Sequence, residues 1–309
     1  MTEPASSGAG LSSGHGTASG AGTASGPGTG SDPGPVVAVA EPPMSRWGAE
    51  LDFAIETART AGIVLMDRYE RLERIDHKSA TDVVTEADHL SEELVIAAIR
   101  ARFPADAILA EESGAHGASA TTAQANGRVW VIDPLDGTVN YANGLPVFCV
   151  SIGLVADGLP VAGAVLDPTR DEMFAATADG PATLNGRAIR SSAKDKLTDG
   201  VLSLALSGRS VSSRVRAIAK VIRVHRSMGS AALALAYIGN GRFDAFLQES
   251  SLSAWDIAAA GLIAERAGAT VTDFRGGPWY VPGTVTRTVG LIAAPPAFHD
   301  RLLTLANQR

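Results

Sequence analysis

Apolar side chains recur at three- and four-residue steps from Trp47 to about Arg74, at Leu51, Ile55, Ala58, Gly62, Leu65, Met66 and Tyr69, which predicts an amphipathic helix. A second helix is expected from about Glu86 to Arg102, entered through Thr85 and Asp88, which fit a capping box. Short apolar runs at 107–110 and 128–132 read as buried strands, the second ended by Pro134. Runs at 147–155, 161–166 and 172–176, parted by Asp157-Gly158 and Asp167-Pro168, read as an antiparallel meander, and Asn185-Gly186 marks a further hairpin. Past a boundary near Ala193 the pattern alternates, with strand 201–207, helix 213–221, strand 223–226, helix 230–238 and strand 243–247. Helix 255–267, closed by Gly268, strands 270–272 and 289–293 and helix 296–306 complete the chain. The mixture predicts an α+β or α/β architecture in two halves, residues 46–193 and 194–309.

Residues 1–45 are different material. Gly, Ser, Ala, Thr and Pro dominate there, with Leu11 the only large aliphatic before Val36. Such a segment cannot bury enough apolar surface to offset its ordering entropy, so a disordered tail is expected, and His15 within it carries no chemistry. It lacks the basic start and apolar stretch of a secretory signal, and the chain offers no run of about 20 apolar residues for a membrane span.

Composition narrows the class further. The 309 residues are 45% hydrophobic and 19% charged with a formal net charge of −7, as in a globular protein with ample length for a core. The mild acidity argues against a nucleic-acid partner. A lone cysteine, Cys149, excludes an intrachain disulfide and points to a reducing cytoplasm; in its apolar run it reads as a small buried residue.

The chemistry concentrates at 130–141, where an apolar strand runs into Asp133-Pro134-Leu135-Asp136-Gly137-Thr138. Asp133 stands at the strand's carboxyl end, where open α/β sheets place ligands, and Asp136-Gly137-Thr138 reads as the first turn of a following helix. Two carboxylates about 4 Å apart repel by roughly 4 kcal/mol at an effective dielectric of 20, so they need a cation, a proton or water between them. Mg²⁺ suits them, because it takes oxygen ligands only and is commonly held by one or two carboxylates plus substrate phosphate. The backbone N–H groups of Gly137 and Thr138 would supply the anion half of the site. Asp, Pro and Gly also form plain surface turns, but the apolar strand before this one argues against that.

Three further acidic places carry a structural alternative beside the functional one. Asp88 could serve only its cap. Glu111-Glu112 follows strand 107–110 and could be a solvated pair, while 115–127, with His116 on it, reads as a loop long enough to move over a site. Ser253 and Asp256 again fit a capping box. Lys78 and Asp82 lie in a charged stretch that an exposed loop would tolerate.

Glu111-Glu112-Ser113, Asp133-Pro134-Leu135-Asp136-Gly137-Thr138-Val139-Asn140 and Trp255-Asp256-Ile257-Ala258-Ala259-Ala260, in this order, resemble the inositol monophosphatase family, from about Trp47 to the C-terminus. The resemblance implies a layered α-β-α-β-α sandwich and a Mg²⁺-dependent, Li⁺-sensitive phosphomonoesterase with two or three ions per site. On this resemblance Glu111, Asp133 and the Leu135 carbonyl bind the first ion, Asp133, Asp136 and Asp256 the second, and Glu111 with waters a weaker third. Thr138, hydrogen-bonded to Asp88, orients the attacking water, so Thr138, Asp88 and Glu111 are the expected catalytic residues. Asp136, Gly137, Thr138, Gly229-Ser230-Ala231, Asp256 and Glu249, seven residues before Asp256, face the substrate, and Lys78 lies near the site entrance. Ser230 could also act as a helix N-cap, and Glu249 could be an ordinary strand-end acid. Residues 250–253 depart from the glycine-containing loop of inositol-specific members, and Asp82 stands one residue closer to Lys78 than in some relatives.

The expected activity is hydrolysis of a small phosphorylated alcohol by a cytoplasmic homodimer, with myo-inositol 1-phosphate the first choice and neither nucleic acid nor membrane as partner. Histidinol phosphate, then fructose 1,6-bisphosphate or a 3′-phosphonucleotide, are the rivals. A regulatory binding protein with vestigial catalysis is the alternative of another kind, and five intact acidic and hydroxyl residues argue against it.

Overall fold

The computed structural model describes residues 45–71, 75–77, 83–116, 127–207, 211–281 and 289–308. The amphipathic stretch after Trp47 forms α1 (Gly48–Arg68), followed by β1 (Ile75–His77), β2 (Val83–Thr85) and α2 (Glu86–Arg102). Next come β3 (Ala107–Ala110), β4 (Gly114–His116), β5 (Arg128–Asp136), α3 (Thr138–Ala142), β6 (Cys149–Ala156), β7 (Leu159–Asp167), β8 (Glu172–Thr177), β9 (Thr183–Leu184) and β10 (Arg187–Ala188). The chain continues through β11 (Val201–Ala205), α4 (Val211–Ala219), β12 (Val224–Arg226), α5 (Ala231–Ala236), β13 (Ala245–Leu252), α6 (Ala254–Arg266), β14 (Thr270–Thr272), β15 (Val289–Ala294) and α7 (Pro296–Ala306). The expectations for residues 1–44, for Lys78 and Asp82, and for the loop at 117–126 lie outside the described residues.

An eight-stranded sheet runs β10-β9-β8-β7-β6-β5-β3-β4, antiparallel except where β3 lies parallel to β5. A five-stranded sheet runs β12-β11-β13-β15-β14, parallel among its first three strands and antiparallel beyond. Three cores define the layers. Residues of α1 and α2 pack on one face of the large sheet around Trp130, Ile132 and Phe148. The other face meets α5 and α6, which also meet the small sheet through Phe246, Leu291 and Ala293. The far face of the small sheet is covered by α4 and α7 through Ile218, Phe298 and Leu302. The order is α-β-α-β-α, as the resemblance implies.

The central layer explains why the middle of α6, residues 257–264, is wholly apolar. A helix sandwiched between two sheets is buried on every side, and Ala258, Ala259, Ala260, Leu262 and Ile263 are all within 2% of full burial. The large sheet admits it through glycine, because a Cβ on Gly163 would stand 2.6 Å from the Ala259 Cα. That approach sets the depth of Asp256 in the first turn of α6.

Several elements differ from expectation. Helix α1 stops at Arg68, since Tyr69 turns to an extended ψ of 129° and Glu70 has a φ of 60°. Strand β5 does not end at Pro134 but continues to Asp136, with a register shift against β6 between Asp133 and Asp136. A bulge there lets a residue without an N–H sit in the strand without breaking a ladder bond. Gly114–His116, expected to lead into a loop, pairs antiparallel with β3 as an edge strand, and the β1–β2 pair was not expected. Among the described residues no helix is long and apolar enough to cross a membrane.

Candidate active site

Strand β5 delivers two acids to one place. Asp133 is 1% exposed, and its Oδ1 accepts from the Leu135 N–H at 3.1 Å, which fixes the turn after it. Asp136 is 8% exposed, and together with Asp256 from α6 the three carboxylates place oxygens within 4.8 Å of one another. Glu111, at the end of β3, has its N–H on the Ile132 carbonyl at 3.2 Å and hydrogen-bonds the Asp133 carboxyl. Asp256 thus joins the β5 pair from more than a hundred residues further along the chain.

The electrostatics follow from that convergence. Burial raises Asp133 well above the usual carboxylate range, and repulsion from Glu111, Asp136 and Asp256 adds to it. Asp256 is likewise raised well above its ordinary value by burial and by Asp136, against an opposing bond from the Ser253 N–H at 2.6 Å. Asp136 is raised by burial but restrained by four donors: Ser230 Oγ at 2.5 Å and the N–H groups of Ala231, Ala232 and Leu233 at 3.2, 2.7 and 3.4 Å. Asp136 therefore caps α5 from outside. Ser230 holds the N-cap position but makes no cap bond of its own, because its hydroxyl is spent on Asp136.

Asp88 and Thr138 meet as expected. Thr138 Oγ1 lies 3.0 Å from Asp88 Oδ1 and 3.0 Å from the Leu135 carbonyl oxygen. The other Asp88 oxygen caps α2, accepting from the Thr85 N–H at 2.8 Å and hydroxyl at 2.6 Å. Cap and site contact coexist on one carboxylate. Burial pushes Asp88 up to about 6, against the bonds from Thr85 and Thr138 and with the Glu112 charge.

Asp136-Gly137-Thr138 is not one helical turn. Gly137 is the N-cap of the five-residue α3, in the left-handed region at φ 97°, and Asp136 still belongs to β5. A Cβ on Gly137 would stand 2.9 Å from the Val147 carbonyl oxygen and 3.2 Å from the Ser230 Cβ. Glycine is thus required twice over.

A cavity of about 310 Å³ opens beside the acids, lined by Asp136, Asp256, Gly229, Ser230 and Ala231 among others. Glu249 is not among them. It lines a separate cavity of about 370 Å³ with Asp273, Arg275 and Trp279. Lys78 lies outside the described residues. Cys149 is fully buried with its Sγ 3.7 Å from Asp136 Oδ2, and burial with the nearby acids raises its thiol well above its ordinary value, so it stays protonated.

Sequence reasoning missed three supports. Glu92 is 3% exposed and accepts from the Glu112 and Ser113 N–H groups, both at 2.9 Å, which fixes the turn after Glu111. Its signal was an acid one helical turn after Asp88 on the buried stripe of α2. Asn140 Nδ2 donates to the Val147 and Met228 carbonyls at 2.7 and 2.8 Å and ties the 228–230 segment to α3. Ser91 Oγ donates to the Pro134 carbonyl at 3.0 Å.

The profile described as "Inositol monophosphatase family" matches residues 49–309. The Pseudomonas aeruginosa protein named Nus factor SuhB is 38% identical over 238 residues, 73% of this chain and 86% of its own. Inositol monophosphatase 2 of Solanum lycopersicum is 34% identical over 237 residues, 72% of this chain and 86% of its own. The solved structure of a Thermotoga maritima IMPase superposes with a TM-score of 0.75 at 33% identity, covering 84% of this chain and 97% of that one.

Proposed function

Because the chain belongs to the inositol monophosphatase family, we propose that it hydrolyses a small phosphate monoester, with myo-inositol 1-phosphate as first choice, as a cytoplasmic homodimer. One observation carries the reading: Asp133, Asp136 and Asp256 converge within 4.8 Å, two of them in the core. Carboxylates held so close and dry repel unless a proton or cation lies among them, and an all-oxygen donor set fits a hard divalent ion such as Mg²⁺.

Glu111, Asp133 and the Leu135 carbonyl would hold one ion, Asp133, Asp136 and Asp256 a second, and Glu111 a weaker third. Bound there, Mg²⁺ supplies positive charge to the phosphate oxygens and makes water acidic enough to attack at neutral pH. The remaining work belongs to the chain. Thr138, held between Asp88 and the Leu135 carbonyl, orients the attacking water, and Asp88, pushed up to about 6, accepts a proton passed through that hydroxyl. The Gly137 and Thr138 N–H groups face the phosphate, and the leaving oxygen lies beside Asp136. Gly229, Ser230 and Ala231 border the alcohol.

The test is phosphate release from a panel of inositol, histidinol, sugar and nucleotide phosphates with Mg²⁺ or with chelator. Turnover is expected with Mg²⁺ only, and Asp133→Asn is expected to lower kcat/KM by about a thousandfold or more. Comparable activity in that variant removes the reading. The 38% identity to a protein named Nus factor favours a second one, a regulatory binding role, which gains if no phosphomonoester is turned over.

A further inference from the structure

Asn140 closes the 133–140 motif, and no step assigned so far uses it. It is the third residue of α3 and half-buried, and its side-chain amide joins the turn after β5 to the segment that leads into α5. Both of its N–H bonds are committed: Nδ2 donates to the Val147 carbonyl at 2.7 Å and to the Met228 carbonyl at 2.8 Å, the second across 88 positions of sequence. A carboxamide carries two donors in one plane and so fixes two acceptors at once, which a hydroxyl with its single proton does not. Among the described residues no other side chain hydrogen-bonds the backbone of 227–229.

The packing around this amide is as close as its bonding. Gly229 takes a left-handed φ of 73°, and a Cβ there would stand 2.9 Å from both Nδ2 and Oδ1 of Asn140. The amide is held by both of its N–H bonds and has no slack to swing aside, so glycine is the residue that fits. On the facing turn, a Cβ at Gly137 would stand 3.2 Å from the Ser230 Cβ and 3.3 Å from the Gly229 carbonyl oxygen. Gly137, Asn140, Gly229 and Ser230 therefore form a seam without spare volume. Its two sides face different parts of an ester: Gly137 and Thr138 the phosphate and the attacking water, residues 227–231 the cavity that takes the alcohol. Ser230 is already tied to Asp136 at 2.5 Å, so what Asn140 adds is the placement of Met228 and Gly229. Asn140 itself does not line the cavity.

We propose that Asn140 is a positioning residue: through the Met228 carbonyl it holds the cavity wall at Gly229 in register with the Gly137–Thr138 turn, so that the ester oxygen leaves in line with the attacking water. The inference rests on the phosphatase reading above and adds to it a residue that touches neither metal nor substrate. In-line displacement is demanding of alignment, and a misplacement of about 1 Å costs on the order of a hundredfold in rate. The demand is greatest for a poor leaving group such as an aliphatic alkoxide and least for phenoxide, which departs readily without being held.

The test is a double-mutant cycle of Asn140→Ala and Gly229→Ala, read in two ways. The first reading is kcat/KM for myo-inositol 1-phosphate over kcat/KM for phenyl phosphate, a ratio in which a general loss of folded protein cancels. Asn140→Ala is expected to lower it about tenfold, with the Mg²⁺ concentration for half-maximal activity moved less than about twofold, because no expected ligand or its support is touched. Asn140→Asp keeps the volume but sets a carboxylate against two carbonyl oxygens, and it should lower the ratio at least as far. Asn143→Ala removes a 2.7 Å bond from the same helix to the Val139 carbonyl; it weakens α3 without reaching the wall and should leave the ratio unchanged. Gly229→Ala should lower the ratio by crowding the amide, and because Asn140→Ala vacates the space that the new Cβ needs, the double variant should lie within about twofold of Asn140→Ala alone. The second reading is denaturant unfolding, in which Gly229→Ala should shift the midpoint less in the Asn140→Ala background than in the parent; the strain of alanine at that φ is common to both backgrounds and cancels. Additive effects in both readings, or an Asn140→Ala variant that slows the two esters equally, overturn the proposal. If neither ester is hydrolysed with Mg²⁺, the phosphatase reading fails instead, and the unfolding cycle alone decides the tether: coupling keeps it and additivity removes it.

Discussion

Single residues in this site do two jobs, and the pairing explains why they are hard to replace. Asp88 divides its oxygens between the α2 cap and Thr138, and Asp256 caps α6 while facing Asp133 and Asp136. Asp136 closes the N-terminus of α5 from a strand of the large sheet. Substituting any of them alters a helix end as well as the chemistry, so loss of activity alone would not separate the roles. Gly137 offers a cleaner case, since it has no side chain to contribute. Its φ of 97° and the Val147 carbonyl at 2.9 Å from a would-be Cβ predict that Gly137→Ala costs about 2 kcal/mol or more of stability. Denaturant unfolding measures this, and an unchanged midpoint would mean that the turn relaxes freely.

At the level of elements, the turn after β3 depends on a helix behind it. Glu92 of α2 holds the Glu112 and Ser113 N–H groups, and with them the backbone that carries Glu111. Glu92→Ala removes both acceptors while leaving every residue expected at the metal untouched. It should therefore raise the Mg²⁺ concentration needed for half-maximal activity by about tenfold, as supports behind metal ligands typically do. An unshifted Mg²⁺ curve would show that Glu111 is held without it. Such supports are what sequence reading found hardest. The long helices α2 and α7 and the meander β6–β8 were legible, because local periodicity and Asp-Gly or Asp-Pro turns specify them. The acids at 111, 133, 136 and 256 were legible through their motifs. The course of β5 past Pro134 was not, because a bulge depends on the neighbouring strand rather than on its own residues. The Arg214–Glu249 pair joins residues 35 apart on elements with no shared pattern, so nothing local announces it.

For the whole molecule, the acids form the hinge between stability and function, because both sheets and the layer between them meet there. Folded-state values raised above the unfolded ones mean that the native protein binds protons its unfolded chain has released. That holds from the ordinary Asp value of about 4 up to about 6 for Asp88 and further for Asp133 and Asp256. Stability of the metal-free protein must then fall as pH rises through that window, the opposite of a salt-bridged carboxylate. A divalent ion needs the same oxygens deprotonated, so its affinity, and the stabilisation it confers by binding only the folded chain, grows over the same range. Thermal unfolding at pH 5 to 8 should show the melting temperature of chelator-treated protein declining with pH, while saturating Mg²⁺ flattens or reverses the decline. The gap between the two curves should be widest at the alkaline end. Parallel curves across the range would mean that Asp133, Asp136 and Asp256 do not take up the ion, and the phosphatase reading would lose the cluster on which it stands.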